Sequence, residues 1–328
     1  MLRFCSSLPD VDFRGETMTT TGEPVSPPIE QGPVKRRGAV RRILRGALAT
    51  RRGQVGLALT LLVVGLAFIG PFVPSRSATE FSGVPYSLPG NGSVLGTDAL
   101  GRDVLARVLH GGWTLLLLAA ISTALAVLLG AVAGVVAAYR GRVTETVIMR
   151  SVDIVLAIPQ LVFVLLIVSV IGAKTWLLVL AVTLCQAPQV ARVMYASAQD
   201  ICERDFVKAV ALWGVPPRTV IRRHIMPSLT TPLAVECGLR LSFSIILIAG
   251  LNFLGFGTQP PNPSWGVMVN ENRLGLATNY WGVLAPAILL AILAVGTNVF
   301  ADALARVAFG GDRGEETAAV TALELTTS

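Results

Sequence analysis

Charge is scarce in this 328-residue chain. Asp, Glu, Lys and Arg make up 14% of it, against about 25% in an ordinary soluble domain. Lysine is rarer still, with three residues, Lys35, Lys174 and Lys208. They follow Val34, Ala173 and Val207, so no Gly-Lys pair exists. A phosphate-cradling loop of the form G-x-x-x-x-G-K-[ST] needs that pair, and ATP binding by this route is excluded. Histidine is limited to His110 and His224, and cysteine to Cys5, Cys185, Cys202 and Cys237. No C-x-x-C pair occurs, so the spacing of zinc and redox sites is missing. Neither histidine lies beside a Ser or Cys in a nucleophile motif, and covalent catalysis needs a base with its orienting partner. No catalytic residue, bound cofactor or metal site is expected, and an enzyme is not.

What fills the chain is hydrophobic sequence: 53% of residues are apolar and the mean hydropathy is +0.66. Six windows carry no Asp, Glu, Lys or Arg: 53–75, 108–139, 154–173, 175–191, 241–270 and 274–301. Crossing roughly 30 Å of hydrocarbon takes about 20 apolar residues in a helix. Five windows reach that length, and 175–191 is marginal at 17 residues. The reading is an all-α integral membrane protein with six transmembrane helices near 55–73, 113–138, 153–172, 175–191, 236–256 and 283–305. For 175–191 a buried or re-entrant segment is the alternative. With the N-terminus inside, Lys and Arg number ten in 1–54, three in 139–151, six in 192–231 and two in 306–328. The intervening outer segments hold five in all, and Arg240 lies within a helix. An excess of Lys and Arg marks cytoplasmic loops, so both termini are expected in the cytoplasm.

Residues 1–34 are rich in Pro, Thr and Glu without an apolar run, and are expected to be a disordered cytoplasmic extension rather than a signal peptide. Met18 is an alternative start. The basic segment 35–54 follows, with eight Lys or Arg between 35 and 52. Near an anionic leaflet each contributes about 1 kcal/mol, so membrane lipid is its expected partner. No nucleic-acid module accompanies it, and no nucleic-acid partner is expected. An extracytoplasmic segment spans 74–112, a five-helix core 113–309, and a cytoplasmic tail 310–328.

A polytopic chain that moves solutes without a phosphate loop must use an ion gradient, borrow an ATPase or act as a passive pore. Ion-coupled carriers place ionisable groups near the midplane. Here Asp153 opens the third expected span, Asp302 closes the sixth, and Glu236 and Arg240 begin the fifth at i, i+4 spacing. That order favours a pair within one helix. Gly130 and Gly134 form a G-x-x-x-G that lets helices approach closely, most simply inside this chain. Pro159, Pro188 and Pro286 are expected to kink their spans. Gln160, Gln186 and Gln189 near two of these prolines are candidates for the translocation path, together with Pro159. The alternative is that they bond backbone groups freed by the kinks.

Between the fourth and fifth spans, residues 192–231 form a polar insert. Phe206, Val210 and Trp213 follow the i, i+4, i+7 spacing of one helix face. Gly214 suits a left-handed helix cap, and Pro217 the first turn of a second helix. Val220, Ile221 and Ile225 line that second helix, which ends at Pro227. The net charge over 203–227 is +3. Arg218, Arg222 and Arg223 suit acidic groups on a partner or lipid head groups.

This insert resembles the cytoplasmic loop of binding-protein-dependent ABC importer permeases, in which Glu-Ala-Ala and three further residues precede a Gly. The matching residues are Lys208-Ala209-Val210 and Gly214, with Lys208 in place of the acid. IRRHIMPSL, with Ile221, His224 and Pro227, is similar to the dipeptide/oligopeptide/nickel subgroup. LGTDALGRDVLARVLHGG (95–112), AGVVAAYRGRVTETVIMRSVDIVLAIPQ (133–160) and FLGFGTQPPNPSWGVMVNENR (253–273) resemble its second, C-type permease. The family's terminal run is echoed only by Asn298, Asp302, Leu304 and Arg306. The resemblance implies a type I importer core of six helices in a bacterial inner membrane. It also implies a homologous partner permease, two ATP-binding subunits or domains that hold ATP and magnesium, and an extracytoplasmic substrate-binding protein. Peptides or similar small solutes are the implied cargo, and substrate choice lies in the binding protein.

By that resemblance the insert couples to the ATPase. Phe206, Lys208, Ala209, Val210, Trp213, Gly214, Pro217, Arg222, Arg223, His224 and Pro227 are the expected coupling residues. On the outer side, Pro260, Pro261 and Trp265 are candidate contacts for the binding protein, Trp265 being alternatively an interfacial anchor. In 95–112, Asp98, Arg102, Asp103 and Arg107 interleave with Val104, Leu105 and Val108, as in an amphipathic segment on the outer surface. An ion-coupled secondary transporter and a non-transporting assembly protein are the competing readings.

Overall fold

The computed structural model describes residues 39–73, 77–90, 92–257 and 262–326. Side chains are described from Arg41 to Ala308 of these, Ala211 excepted. Pro260 and Pro261, Lys35 and the extension 1–34 lie outside the described residues. Among those described, helices dominate and no strand longer than an isolated bridge occurs.

The chain enters as α1 (Ala39–Ala49), turns at Thr50, and continues as α2 (Arg51–Ile69). The Thr50 hydroxyl accepts from the Gly53 amide at 3.1 Å, satisfying one of the free donors at a helix start. A short α3 (Val104–His110) follows, with the Asp103 carboxylate accepting from the Leu105 and Ala106 amides. Next come α4 (Gly112–Arg140), α5 (Arg142–Leu156), α6 (Gln160–Ile171) and α7 (Thr175–Cys202). The loop helices are α8 (Asp205–Leu212) and α9 (Pro217–Val220). Then come α10 (Thr230–Phe253), α11 (Trp265–Asn272) and the long α12 (Trp281–Thr326).

Five runs are long and apolar enough to cross a membrane: 51–72, 104–140, 175–202, 217–253 and 281–308. The expected third span is different. It is a bent pair, α5 and α6, meeting at 86°. Ile158 precedes Pro159, and a residue before proline is pushed out of the helical region. With 12 residues, α6 is about 18 Å long, too short to span alone. A bend is thus found in the neighbour of 175–191, while α7 itself runs unbroken for 28 residues. Pro188 and Pro286 lie inside helices that continue through them, so only Pro159 breaks a span.

The core is a seam of α4 against α7, joined by α10 and closed by α12. Gly130 and Gly134 make the first contact possible. A Cβ on Gly130 would lie 2.6 Å from the Ala187 carbonyl, and one on Gly134 would lie 2.4 Å from that of Ala191. The G-x-x-x-G is therefore used inside the chain. Polar groups tie α10 to both helices of the seam. The Thr123 and Ser244 hydroxyls bond at 2.8 Å, and the Gln186 amide donates to Ser244 at 2.6 Å.

On the other side of the core, residues 77–90 and 92–110 form a cap with α11. The Asn279 side-chain amide donates to the carbonyls of Ser87, Leu95 and Thr97. Asn272 accepts from the Ala99 amide at 2.9 Å. The segment 95–107 is not the amphipathic surface segment expected, since Val104 and its charged neighbours are buried alike. Asp98, Arg102, Asp103 and Arg107 are buried, because Asp98 and Glu271 between them hold both guanidiniums.

Candidate functional site

The loop between α7 and α10 is anchored on one face and bare on the other. Val207, Val220, Ile225 and Leu229 pack with Val135 of α4 and with Ala198 and Ile201 of α7. Val210, Val215 and Ile221 join them at the margin. The helix-turn-helix of the sequence reading is present, with α8 and α9 on either side of Gly214. Gly214 has φ +76, the left-handed region that L side chains reach at a cost of about 1–2 kcal/mol. No atom approaches within 4 Å of a Cβ built there, so the constraint is conformational and not steric.

The face presented outward differs from the one expected. Val210 turns toward the core with Val207, whereas Phe206, Leu212 and Trp213 are exposed, the last two by more than 80%. The residues of α8 are apolar nearly all round, so spacing alone fits two faces, and packing against α4 and α7 selects one. Lys208 is exposed beside Phe206, and Ala209 is half-buried. The Phe206 ring lies 6.5 Å from that of His224. Pro217 opens α9 at its first position, where a missing N–H is harmless. The second helix does not end at Pro227. It widens over Ile221–Ile225, tightens over Met226–Leu229, and runs into α10. Pro227 sits in that tight turn. Arg218, Arg222 and Arg223 are exposed, and no ion pair involves them among the described residues.

Both helices that flank the loop are braced. Tyr195 of α7 donates to Glu145 of α5 at 2.5 Å, and Arg192 pairs with Asp153. Glu236 and Arg240 form the expected pair at 3.0 Å, both largely buried. They do not begin their helix, since α10 starts at Thr230, and Arg240 stands near its middle. Arg240 also donates to Gln189 of α7 and lies over the Phe243 ring, 5.2 Å from its centroid.

The path candidates are not gathered in one cavity. Pro159 is exposed at the bend, and Gln160 is half-buried, its carbonyl accepting from the Cys185 thiol at 3.8 Å. Gln186 is fully buried, bonded to Ser244 through its amide, with its carbonyl oxygen unpartnered. Gln189 serves Arg240. Trp265 is buried completely, and its indole N–H donates to the Val108 carbonyl at 2.8 Å. It is neither an interfacial anchor nor a contact for a partner. It is the pin between α11 and the end of α3. Sequence reasoning missed the Asp98–Arg102–Arg107–Glu271 network, since nothing in spacing joins residues some 170 positions apart. Among the described residues, no three His, Cys, Asp or Glu side chains gather as a metal site would require.

The family described as the binding-protein-dependent transport system inner membrane component matches residues 126–308, from within α4 to within α12. A protein of Brucella suis named for a peptide transport system permease is 33% identical over 291 residues, 88% of this chain and 96% of that one. The di/tripeptide transport system permease protein DppC of Pseudomonas aeruginosa is 32% identical over 266 residues, covering 79% and 88%. The match takes in the whole loop, its braces and the α4–α7 seam, and the relatives are similar along most of their length. This chain therefore belongs to the family of inner membrane components of binding-protein-dependent transport systems.

Proposed function

We propose that this permease subunit imports peptides or a similar small solute, and that α8 with the Gly214 turn is where ATP-driven motion enters. The observation that carries the reading is the bare ridge of Phe206, Leu212 and Trp213 on a loop whose opposite face is packed into α4 and α7. An apolar ridge on a short helix is suited to a groove on a partner, and aromatic residues dominate such contacts. Lys208, Arg222 and Arg223 flank it and favour an acidic rim. The partners are a homologous permease, two ATPase subunits that hold ATP and magnesium, and an extracytoplasmic binding protein. Both termini lie in the cytoplasm, and the α5–α6 pair supplies the third of six crossings. The family resemblance and the names of the relatives support this assembly, and the arginine asymmetry supports the sidedness. A tagged full-length chain should copurify with a P-loop ATPase and a second permease. Purification alone, with ion-driven uptake in vesicles, would overturn the reading.

A further inference from the structure

We propose that the elbow of α1 and the start of α2, together with α12, forms a binding surface for the head groups of anionic phospholipid. Three features of α1 converge there. Ile43 and Ala47 are buried against Phe300, Ala303, Leu304 and Val307 of α12. Gly46 keeps the two helices close, since a Cβ on it would lie 2.5 Å from the Val307 side chain. One helical step round, Leu44 and Leu48 at i, i+4 spacing are each 40% exposed, an apolar ridge left open among the described residues.

The arginines occupy the remaining surface. Arg41, Arg42 and Arg45 line an open cleft of about 450 Å3. Arg52 and Arg306 line a second, of about 320 Å3, with Thr50, Val299, Asp302 and Ala303. No Asp or Glu occurs between Glu30 and Glu80, and among the described residues Asp302 is the single carboxylate on either rim. None of these arginines makes an ion pair among the described residues. Within one turn of Arg52 the charge-free stretch of α2 begins, and it exposes Val55, Leu61 and Leu62.

Free guanidiniums thus stand at the level where hydrocarbon gives way to head groups, beside an apolar ridge that acyl chains can cover. Phosphodiester head groups supply the missing negative charge, and each basic group near such a surface adds about 1 kcal/mol. A nucleic acid would meet the charge but leave Leu44 and Leu48 in water. Because α1 is fastened to α12, the lipid would bear on the permease core and not on a loose arm. The inference rests on the elbow lying at a membrane surface, but its test is independent of which leaflet.

The full chain is placed in bilayer discs of phosphatidylcholine with a minor share of phosphatidylglycerol, extracted, and its retained lipid identified by mass spectrometry. Phosphatidylglycerol should be enriched over the bulk ratio. Replacing Arg41, Arg42, Arg45, Arg52 and Arg306 by Gln should cut that enrichment about fivefold or more, whereas the five Arg→Lys replacements should keep most of it. All five side chains are exposed, so both variants should melt as the parent does. Equal retention of the two lipids by the parent, or undiminished enrichment in the Gln variant, would overturn the proposal. So would displacement of the lipid by inorganic phosphate alone, which would make this a site for a free anion.

Discussion

Asp98 has no exposed surface and accepts from the Leu100 and Arg102 amides and from the Arg102 and Arg107 guanidiniums. Burial pushes its carboxyl up, but the Arg102 amide and the two guanidiniums outweigh burial and hold it below the ordinary 3.8. A group whose folded value is depressed adds stability above its unfolded value and loses it as pH falls through the folded one. The cap should therefore keep its hydrogen-exchange protection over 95–107 from neutral pH down to about 4 and lose it only in stronger acid. Asp98→Asn leaves two buried guanidiniums with Glu271 alone, and breaking a buried pair costs roughly 3–5 kcal/mol. Protease cleavage near residue 100 in the Asn variant at neutral pH is the expected sign, and a resistant variant would refute the network's role. Gly214 acts through conformation instead. Gly214→Val forces a branched side chain to φ +76 without a clash, so insertion should be intact while ATP hydrolysis is uncoupled from uptake. Gly214→Asn, which tolerates that region, should stay coupled, and normal transport by the Val variant would remove Gly214 as the hinge.

Helices α4 and α7 meet because Gly130 and Gly134 face Ala187 and Ala191. Gly134→Leu drives a side chain into backbone, and overpacking of this kind costs about 1–3 kcal/mol or more. Gly65→Leu on α2 is the control, since nothing lies within 4 Å of its Cβ. The first variant should melt well below the parent in detergent and the second alongside it. Equal melting would mean the seam is looser than it looks. These contacts were legible in the sequence because a G-x-x-x-G in a charge-free window has few uses. The helix-turn-helix of the loop was equally legible, since Gly214 and Pro217 act locally. The outward face of α8 was not, because Val207 and Val210 at i, i+3 fit one helix face as well as Phe206 and Val210 at i, i+4 do, and only packing separates them. Trp265 and the charges of 95–107 were misread for a related reason: composition suggests where polar residues go, but a partner far along the chain reverses it. The α5–α6 break was written in Pro159, yet the unbroken run of apolar residues around it concealed that the two halves turn away from each other.

The bend at Pro159 decides the topology of the whole molecule, because five crossings put the termini on opposite sides and six put them together. Lysine and arginine discriminate between the two. If α5 and α6 dip in and return, the segment through Lys174 joins the first side, and the loop with α8 and the tail move to the other. The basic residues outside the spans then divide 15 against 11, close to no preference. If the pair crosses, they divide 21 against five, the bias expected of a cytoplasmic side. This charge bias supports the six crossings proposed above. In a version with its four cysteines replaced, Lys174→Cys should react with a membrane-impermeant thiol reagent added outside. Trp213→Cys, on a side chain 81% exposed, should react only after the membrane is opened. The reverse pattern would place α8 outside, beyond reach of any cytoplasmic ATPase. The same labelling thus tests both the crossing number and the place where energy is thought to enter, and the two stand or fall together.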